Sequence, residues 1–265
     1  ISDFLKPQWE KAISSFNLDE IQNLLDCGAN ADWPVAGQPP LALAILSNQN
    51  SVFDRLIMHG AHAGNRMANG ATLIELAVAA KNASAVDTLL GALKETELTF
   101  SDGSTMFRHL QSAEHADCLA AWLTHAQSLK KLHTPDGTSY FCMAMRLAAT
   151  ESAKKVATQN IKLISVEDPE GNLPLHEAAR KGDAELYREL VKLGANPAQK
   201  NTRGETVLMH AALSGDAETL AEALKGISPE LLQAKDKDGH NAHYYAKLAQ
   251  DKAATEALKA AGLQP

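Results

Sequence analysis

The 265-residue sequence has few of the residues that build β-sheets and disulfide-linked folds. Aromatic residues make up only 5% of the chain, and Ala and Leu far outnumber Val and Ile. Because β-branched and aromatic residues favour strands whereas Ala and Leu favour helices, this composition predicts an all-α protein and argues against an all-β sandwich. The three cysteines, Cys27, Cys118 and Cys142, form neither an even disulfide framework nor a CxxC metal pair.

The sequence also lacks an excess of positive charge and a long hydrophobic run. Its formal net charge is −7, so a basic surface able to neutralise many phosphates is not expected, and no nucleic acid partner is predicted. No apolar run reaches the roughly 20 residues of a membrane-spanning helix, so no membrane partner is predicted. The sequence begins at Ile1, which leaves export open, although the three cysteines are compatible with a reducing compartment and weakly favour a cytoplasmic location.

Glycines recur along most of the chain at a nearly constant interval. Successive members of this series are separated by 33, 33, 34, 34, 33 and 35 residues, and an apolar, Ala-rich segment follows each of them. The series consists of Gly37, Gly70, Gly103, Gly137, Gly171, Gly204 and Gly239. A fixed period of this length is typical of proteins built from stacked helical repeats.

The clearest unit of this series surrounds Gly171. This glycine follows turn-forming residues, Pro174 suits the first turn of a helix, and Gly182 separates that helix from a second one that ends at Gly194. One unit therefore reads as turn, short helix, longer helix and turn. Since isolated helices shorter than about 12 to 15 residues are marginal in water, each unit needs its neighbours to fold.

Residues 171–179 read Gly-Asn-Leu-Pro-Leu-His-Glu-Ala-Ala, which closely resembles the ankyrin-repeat pattern with Leu173 in place of its Thr. The next unit keeps Thr206, Leu208 and both alanines but lacks the Pro. The resemblance implies an all-α solenoid of turn-helix-helix units. It also implies a protein-recognition scaffold, with contacts made by the finger loops and the exposed side of each first helix.

The repeat pattern predicts a single domain, residues 1–265, of about eight stacked units including the caps. These are the N-terminal cap unit 1–32, then 33–65, 66–98, 99–132, 133–166, 167–199 and 200–234, and the C-terminal cap unit 235–265. Unit 133–166 is expected to be irregular, because the stretch from Ala153 to Thr158 lacks the paired leucines that should close its second helix. No stretch remains for a separate catalytic domain, so we predict no enzymatic activity, cofactor or metal.

The predicted function is non-enzymatic binding of a protein partner on the concave finger and inner-helix surface. Contact positions are counted from each turn glycine: four, two and one residues before it, and one, nine and ten residues after it. The candidate partner-binding residues are Trp33, Arg66, Asn69, Asp102, His133, Asp136, Arg146, Glu170, Asn172, Arg180, Lys181, Lys200, Arg203, Glu205, Leu213, Lys235, Lys237 and His240.

Arg and Lys are frequent in the C-terminal half of this set, which indicates a partner with an acidic surface. The alternative interpretation of these surface charges is that they serve solubility. The alternative to partner binding for Trp33 is packing against Pro34 or the first cap. The module is expected to be a monomer on its own. The resemblance implies that His176 makes a structural hydrogen bond to finger backbone, and no third ligand accompanies His240 and His243 at zinc spacing.

Two alternatives remain. The first is an enzyme with a cryptic site in unit 133–166, where Cys142, Arg146, His133 and Asp136 could converge. Against it, the sequence has no GxSxG, Walker A, HExxH or GxGxxG motif, and Cys142 lies in an apolar segment. The second is a scaffold segment of a larger multidomain protein, such as a bacterial effector.

Overall fold

The computed structural model describes residues 2–93, 109–110, 113–125, 137 and 139–263. These residues contain sixteen α-helices and no extended β-strand, so the all-α prediction is confirmed. The chain forms two compact units, Ile1–Gln127 and Ser128–Pro265. The repeat boundaries within them remain predictions, and Asp102, His133 and Asp136 lie outside the described residues.

The first unit is built from antiparallel helix pairs that bury Trp9, Phe53 and Leu89. Its helices are α1 (Ser2–Ser14), α2 (Leu18–Asp26), α3 (Pro40–Leu46), α4 (Asn50–Met58), α5 (Leu73–Ala79), α6 (Ala83–Leu93) and α7 (Ala116–His125), with a 3-10 turn at Ala113–His115. Helices α3 and α5 pack side by side, as do α4 and α6. Consecutive repeats therefore stack with first helix against first helix and second helix against second helix.

The second unit has the same construction. Its helices are α8 (Tyr140–Leu147), α9 (Thr150–Gln159), α10 (Pro174–Lys181), α11 (Ala184–Lys192), α12 (Val207–Ser214), α13 (Ala217–Leu224), α14 (Pro229–Leu232), α15 (Ala242–Leu248) and α16 (Lys252–Ala260), with a 3-10 helix at Ile161–Ser165. The first helices α8, α10, α12 and α15 form one layer, and the second helices α9, α11, α13 and α16 form the other.

Local sequence signals set the boundaries of these helices. Pro174 occupies the first turn of α10, and Gly182 ends that helix in the left-handed conformation at φ 73°. Asp183 then caps α11, because its side chain accepts a hydrogen bond from the Leu186 N–H. The chain therefore reverses direction within two residues, and the paired helices lie antiparallel.

The finger loops are joined to one another by backbone hydrogen bonds. The Thr202 N–H donates to the Glu170 carbonyl, and the Lys237 N–H donates to the Arg203 carbonyl, both at 2.9 Å. These bonds hold successive fingers in register along the edge of the first-helix layer.

The closing part of unit 133–166 differs from that of the other units. Helix α9 buries the small residues Ala153, Val156 and Ala157 where a pair of leucines is expected. The 3-10 helix that follows it supplies Leu163 and Ile164, which are buried. A short extra helix therefore fills the space that the missing leucines would occupy.

Candidate functional site

A groove of about 450 Å³ runs between the fingers and the first-helix layer of the unit 128–265. Seven predicted contact residues line it: Arg146, Glu170, Asn172, Arg180, Arg203, Glu205 and Leu213. Five more lining residues are Asp168, Glu177, Asn201, His210 and Tyr245. Counting from the turn glycines therefore identifies seven of the twelve residues that line the groove.

In the unit 128–265, the exposed edge of the first-helix layer carries one residue from each repeat. Arg146, Arg180, Leu213 and Leu248 each lie nine residues after a turn glycine, in or near the last turn of α8, α10, α12 and α15. We call these four residues the inner row. Because the four helices pack side by side, the inner row forms a continuous strip beside the fingers.

Two arginines of the inner row share one buried carboxylate. The Arg180 Nη2 group donates to Glu177 Oε2 at 2.9 Å, and Arg146 Nε lies 4.0 Å from the same oxygen. The Glu177 side chain is 2% exposed, whereas each arginine side chain is 39% exposed. Two guanidinium groups around one carboxylate leave one positive charge in this cluster, and the exposed Glu170 carboxylate lines the same groove.

Glu205 lies at the floor of the groove and holds several neighbours together. Its carboxylate accepts hydrogen bonds from Asn201 Nδ2 at 2.6 Å and from the Tyr245 hydroxyl at 3.0 Å, and it lies 3.3 Å from His210 Nε2. The hydrogen bonds from His210, Asn201 and Tyr245 outweigh the effect of burial and lower the pKa of Glu205 to about 2. Glu205 is therefore ionised and held inside the unit.

The hydrogen-bonded floor extends into the neighbouring fingers. Asn172 donates to Asp168 through both its backbone N–H and its Nδ2, and its side-chain oxygen accepts from Asn201 Nδ2 at 2.9 Å. The Tyr245 hydroxyl also lies 2.7 Å from Asp236 Oδ2. Burial, followed by these two carboxylates, raises the pKa of Tyr245. The polar side chains beneath the arginines thus connect three successive fingers.

Several other predicted contact residues of this unit lie away from the groove. Lys181 donates to the Ala148 carbonyl at 2.6 Å and joins two first helices. His240 stacks on Tyr244 with ring centroids 3.7 Å apart. The remaining predicted cations of this unit are exposed finger residues: Lys200, Lys235 and Lys237.

In the unit 1–127, the predicted contact residues take part in local structure. The Trp33 carbonyl accepts a hydrogen bond from Trp9 Nε1 at 3.0 Å, and Lys6 Nζ lies 5.9 Å from the centroid of the Trp33 ring. Arg66 donates to the Gly70 carbonyl, and the Asn69 side chain accepts from the Ala71 N–H. Trp33 therefore packs against the first helix, as the cap interpretation predicts.

Three of the residues that the sequence analysis missed share a periodic position. Glu177, His210 and Tyr245 each lie six residues after a turn glycine, which is three residues before the inner row. Residues three apart on a helix share a face, so an additional offset of six would have identified them. Asp168 and Asn201, three residues before a turn glycine, are finger residues of the same kind.

The cysteine proposed for the alternative enzymatic site is enclosed. Cys142 is 3% exposed, and its Sγ lies 3.4 Å from the Val166 carbonyl. Burial raises the pKa of the Cys142 thiol to about 12, far from the thiolate form that a nucleophile needs. The two other members of that predicted set, His133 and Asp136, lie outside the described residues.

Among the described residues, one group brings metal-ligating atoms together, namely Asp236, Asp238 and His240. The Asp236 Oδ1 atom already accepts hydrogen bonds from the backbone N–H groups of Asp238 and His240. These contacts form the turn of the last finger. None of the described helices has the length and apolar character needed to cross a bilayer.

Comparison with known proteins agrees with the repeat pattern. Residues 175–263 match a family model described as three copies of ankyrin repeats. The chain is also similar to SH3 and multiple ankyrin repeat domains protein 2 from Homo sapiens, at 26% identity over 78% of this chain and 11% of that protein.

A second relative is a Caenorhabditis elegans homolog of transient receptor potential cation channel subfamily A member 1, at 28% identity over 41% of this chain and 9% of that protein. The chain thus spans only about a tenth of the length of these curated relatives. These matches confirm the predicted resemblance to ankyrin-repeat proteins: residues 175–263 match the family model, and the stacked helix pairs and finger turns have the arrangement that the resemblance implies.

Proposed function

We propose that this chain is a protein-binding module that holds a partner in the groove of the unit 128–265 without chemical change. Ankyrin repeats generally mediate protein–protein interactions. The observation that carries the proposal is the difference in exposure between the arginines and the carboxylates of the Arg146, Glu177 and Arg180 cluster. Partly exposed arginines lie above carboxylates that are already hydrogen-bonded within the fold.

This arrangement favours an acidic partner, although the groove lining contains more carboxylates than arginines. Glu177 and Glu205 are buried, whereas the Arg203 side chain is 65% exposed. Asp168 is half-buried and Glu170 is exposed, so a partner meets the guanidinium groups together with the Glu170 carboxylate. Arg is enriched among interface hot spots because its fork of N–H donors matches a carboxylate, so Arg146, Arg180 and Arg203 are the proposed principal contacts.

The enzymatic alternative receives no support from the described residues. Cys142 is enclosed beneath the finger backbone, where its Sγ lies 3.4 Å from the Val166 carbonyl and 3.6 Å from the Asn172 carbonyl. Nucleophilic catalysis needs an exposed, activated thiol with a neighbouring base. Binding without catalysis accounts for the geometry of the groove.

The test is affinity capture with two matched triple variants. R146E/R180E/R203E reverses the charges at the groove. K192E/K225E/K259E makes the same change in net charge on the second-helix side, where each lysine pairs with a glutamate three residues earlier. Circular dichroism checks that both variants keep the helical fold.

We expect the control variant to capture the same protein as the wild type from a lysate of the source organism, and the groove variant to lose it. Reversing an exposed charge at an interface weakens binding by about 1 kcal/mol or more per close pair, so three reversals lower capture at least tenfold. Equal capture by the folded groove variant would exclude this surface as the binding site.

A further inference from the structure

The chemical character of the inner row changes along the unit 128–265. Its first two residues are Arg146 and Arg180, and its last two are Leu213 and Leu248. Leu213 lines the groove beside the arginines, and Leu248 is 58% exposed. Leu248 is thus a large apolar residue exposed at the position where the first two repeats of this unit carry arginine.

Leu248 lies in line with the charged part of the groove. Helix α15 packs directly on α12, and α12 packs on α10. Leu213 on α12 therefore lies between Arg180 on α10 and Leu248 on α15. Packed helices have axes about 8–10 Å apart, which places the Leu248 position about 16–20 Å from the Arg180 position. A ligand that contacts both must therefore span two helix intervals.

The spacing sets the length that such a ligand needs in each form. An extended chain rises about 3.3 Å per residue, so five or six residues cover this span. A helix rises about 1.5 Å per residue and would need about 11 to 13 residues. A groove bounded by fingers on one side and first helices on the other suits a narrow, extended chain.

We propose that the partner contributes an extended segment with two anchors: an acidic side chain bound by Arg146 and Arg180, and a large apolar side chain about five or six residues away that covers Leu213 and Leu248. This inference rests on the proposed function and specifies the partner chemistry of the same groove. The carboxylate anchor binds between two guanidinium groups that already share Glu177. The apolar anchor removes the exposed leucine surface from water.

The charge of the first anchor follows from exposure. A basic side chain would have to pass the two arginines to reach Glu177, whose side chain is 2% exposed and already accepts a hydrogen bond from Arg180. An acidic side chain meets both guanidinium groups at the opening, and each guanidinium has five N–H donors. Charge complementarity therefore selects aspartate or glutamate at this anchor.

The test uses a phage-displayed library of random peptides about 12 residues long, which is long enough to span the proposed anchors in the extended form. The library is selected on the full 265-residue chain. The best peptide is then synthesised with a fluorescent label and titrated by anisotropy against wild type, R146E/R180E, L248D and the second-helix control K192E/K225E. Circular dichroism confirms that each variant is folded.

We expect the enriched peptides to carry Asp or Glu and, five or six residues away in either direction, Leu, Ile, Phe or Met. Affinity should fall at least tenfold, about 1.4 kcal/mol, in R146E/R180E and in L248D, and stay unchanged in the control. Replacing the acidic residue of the peptide with Lys should have an equal effect, and binding should weaken as salt is added.

Failure of this inference can be distinguished from failure of the proposed function. Enriched peptides that lack an acidic residue, that show a helical spacing, or whose binding does not respond to L248D overturn the two-anchor segment, as does a library that yields no binder. The proposed function survives those results if the captured partner still requires Arg146, Arg180 and Arg203. It fails when the partner binds the groove variant as well as it binds the wild type.

Discussion

At the scale of single residues, the groove combines side chains that hold its floor with side chains that face its opening. Glu205 and Arg203 are two residues apart and both occupy predicted contact positions. The Glu205 carboxylate is surrounded by hydrogen-bond donors of the same unit, whereas the Arg203 side chain is 65% exposed. Arg203 Nε lies 3.6 Å from Glu205 Oε1, and the exposed guanidinium group is the part of this pair that a partner can reach.

Gly171 and Gly239 occupy the same turn position but differ in their surroundings. Both have positive φ, 73° and 84° respectively. A Cβ on Gly171 would lie 2.9 Å from the backbone nitrogen of Thr202, whereas a Cβ on Gly239 would meet nothing within 4 Å. Substitution at Gly171 therefore disturbs the hydrogen bond that links its finger to the next one.

We predict that G239A lowers the free energy of unfolding by about 1 kcal/mol, the cost of a left-handed Ala. G171A should cost about 1–2 kcal/mol more, because Thr202 must move and its bond to the Glu170 carbonyl is lost. Urea denaturation followed by circular dichroism measures both values. Equal losses would show that the close approach at Gly171 has no energetic consequence.

His176 makes stability depend on pH. It is fully buried, and burial together with the neighbouring His210 ring lowers the pKa of His176 to about 4. Between pH 6.5 and 4 the unfolded chain therefore binds a proton that the folded chain does not, so stability falls as the pH decreases through this window. Glu205, whose pKa is lowered to about 2, adds a separate loss below its ordinary value of 4.5.

We predict that the wild type loses roughly 3 kcal/mol between pH 7 and 4 through His176, and that H176Q shows a flatter pH profile. At pH 7 the replacement lowers stability because the Leu173 N–H loses its bond to His176 Nδ1, and the deficit relative to the wild type should shrink as the pH falls. The slope is therefore the informative quantity. Unfolding midpoints measured across this range test it, and an unchanged slope in H176Q would assign the pH effect to other groups.

At the scale of the helix, three of the four described second helices of the unit 128–265 begin in a common way, and only α9 has no side-chain cap. Asp183, Asp216 and Asp251 each precede a second helix, and each side chain accepts a hydrogen bond from the N–H three residues later. Asp183 has a further contact, because Thr150 Oγ1 donates to its Oδ2 at 2.6 Å. Thr150 lies in α9 of the preceding pair, so this one cap also joins two repeats.

We predict that D216A costs about 1 kcal/mol of stability, the typical value of a helix cap, and that D183A costs about 2–3 kcal/mol. T150V leaves the cap intact and removes only the contact between repeats, so its cost should account for part of the difference between the two aspartate variants. The ion pair of Asp183 with Lys181 at 3.1 Å accounts for the rest. Thermal and urea unfolding of the three variants test this relation. A D183A loss no larger than that of D216A would contradict the bridging role.

At the scale of the whole molecule, each unit gains its stability from contacts between neighbouring helix pairs. Within the unit 128–265, α11 contacts α9 and α13, whereas α16 contacts α13 on its layer. Leu190 of α11 and Leu258 of α16 are both fully buried. In such an arrangement a local loss of packing acts mainly on the adjoining repeats.

We predict that L258A, a substitution expected to cost about 2–5 kcal/mol, raises hydrogen exchange in α15 and α16 much more than in α10 and α11. L190A should instead raise exchange in the repeats on both sides of α11. Hydrogen–deuterium exchange with mass spectrometry resolves these segments. Uniform acceleration across the unit in L258A would show that the repeats unfold as one cooperative body.

Local signals in the sequence determine the repeat, the helix boundaries and the approximate wall of the groove. The turn glycines and Pro174 act over a few residues, so they predict the turn, short helix and longer helix around Gly171, whereas the 3-10 helix at Ile161–Ser165 and helix α14 are not predicted by this pattern. Counting from the glycines also places Arg146, Arg180 and Leu213 beside one groove.

Only the tertiary structure decides which of these side chains are accessible. Arg146 reaches Glu177 across 31 residues, and Tyr245 reaches Glu205 across 40 residues, because stacking brings the helices of different repeats together. Periodicity assigns residues to a face, but it does not show which carboxylates are paired within that face. Packing distances and side-chain conformations settle that pairing, and with it the charge that a partner meets.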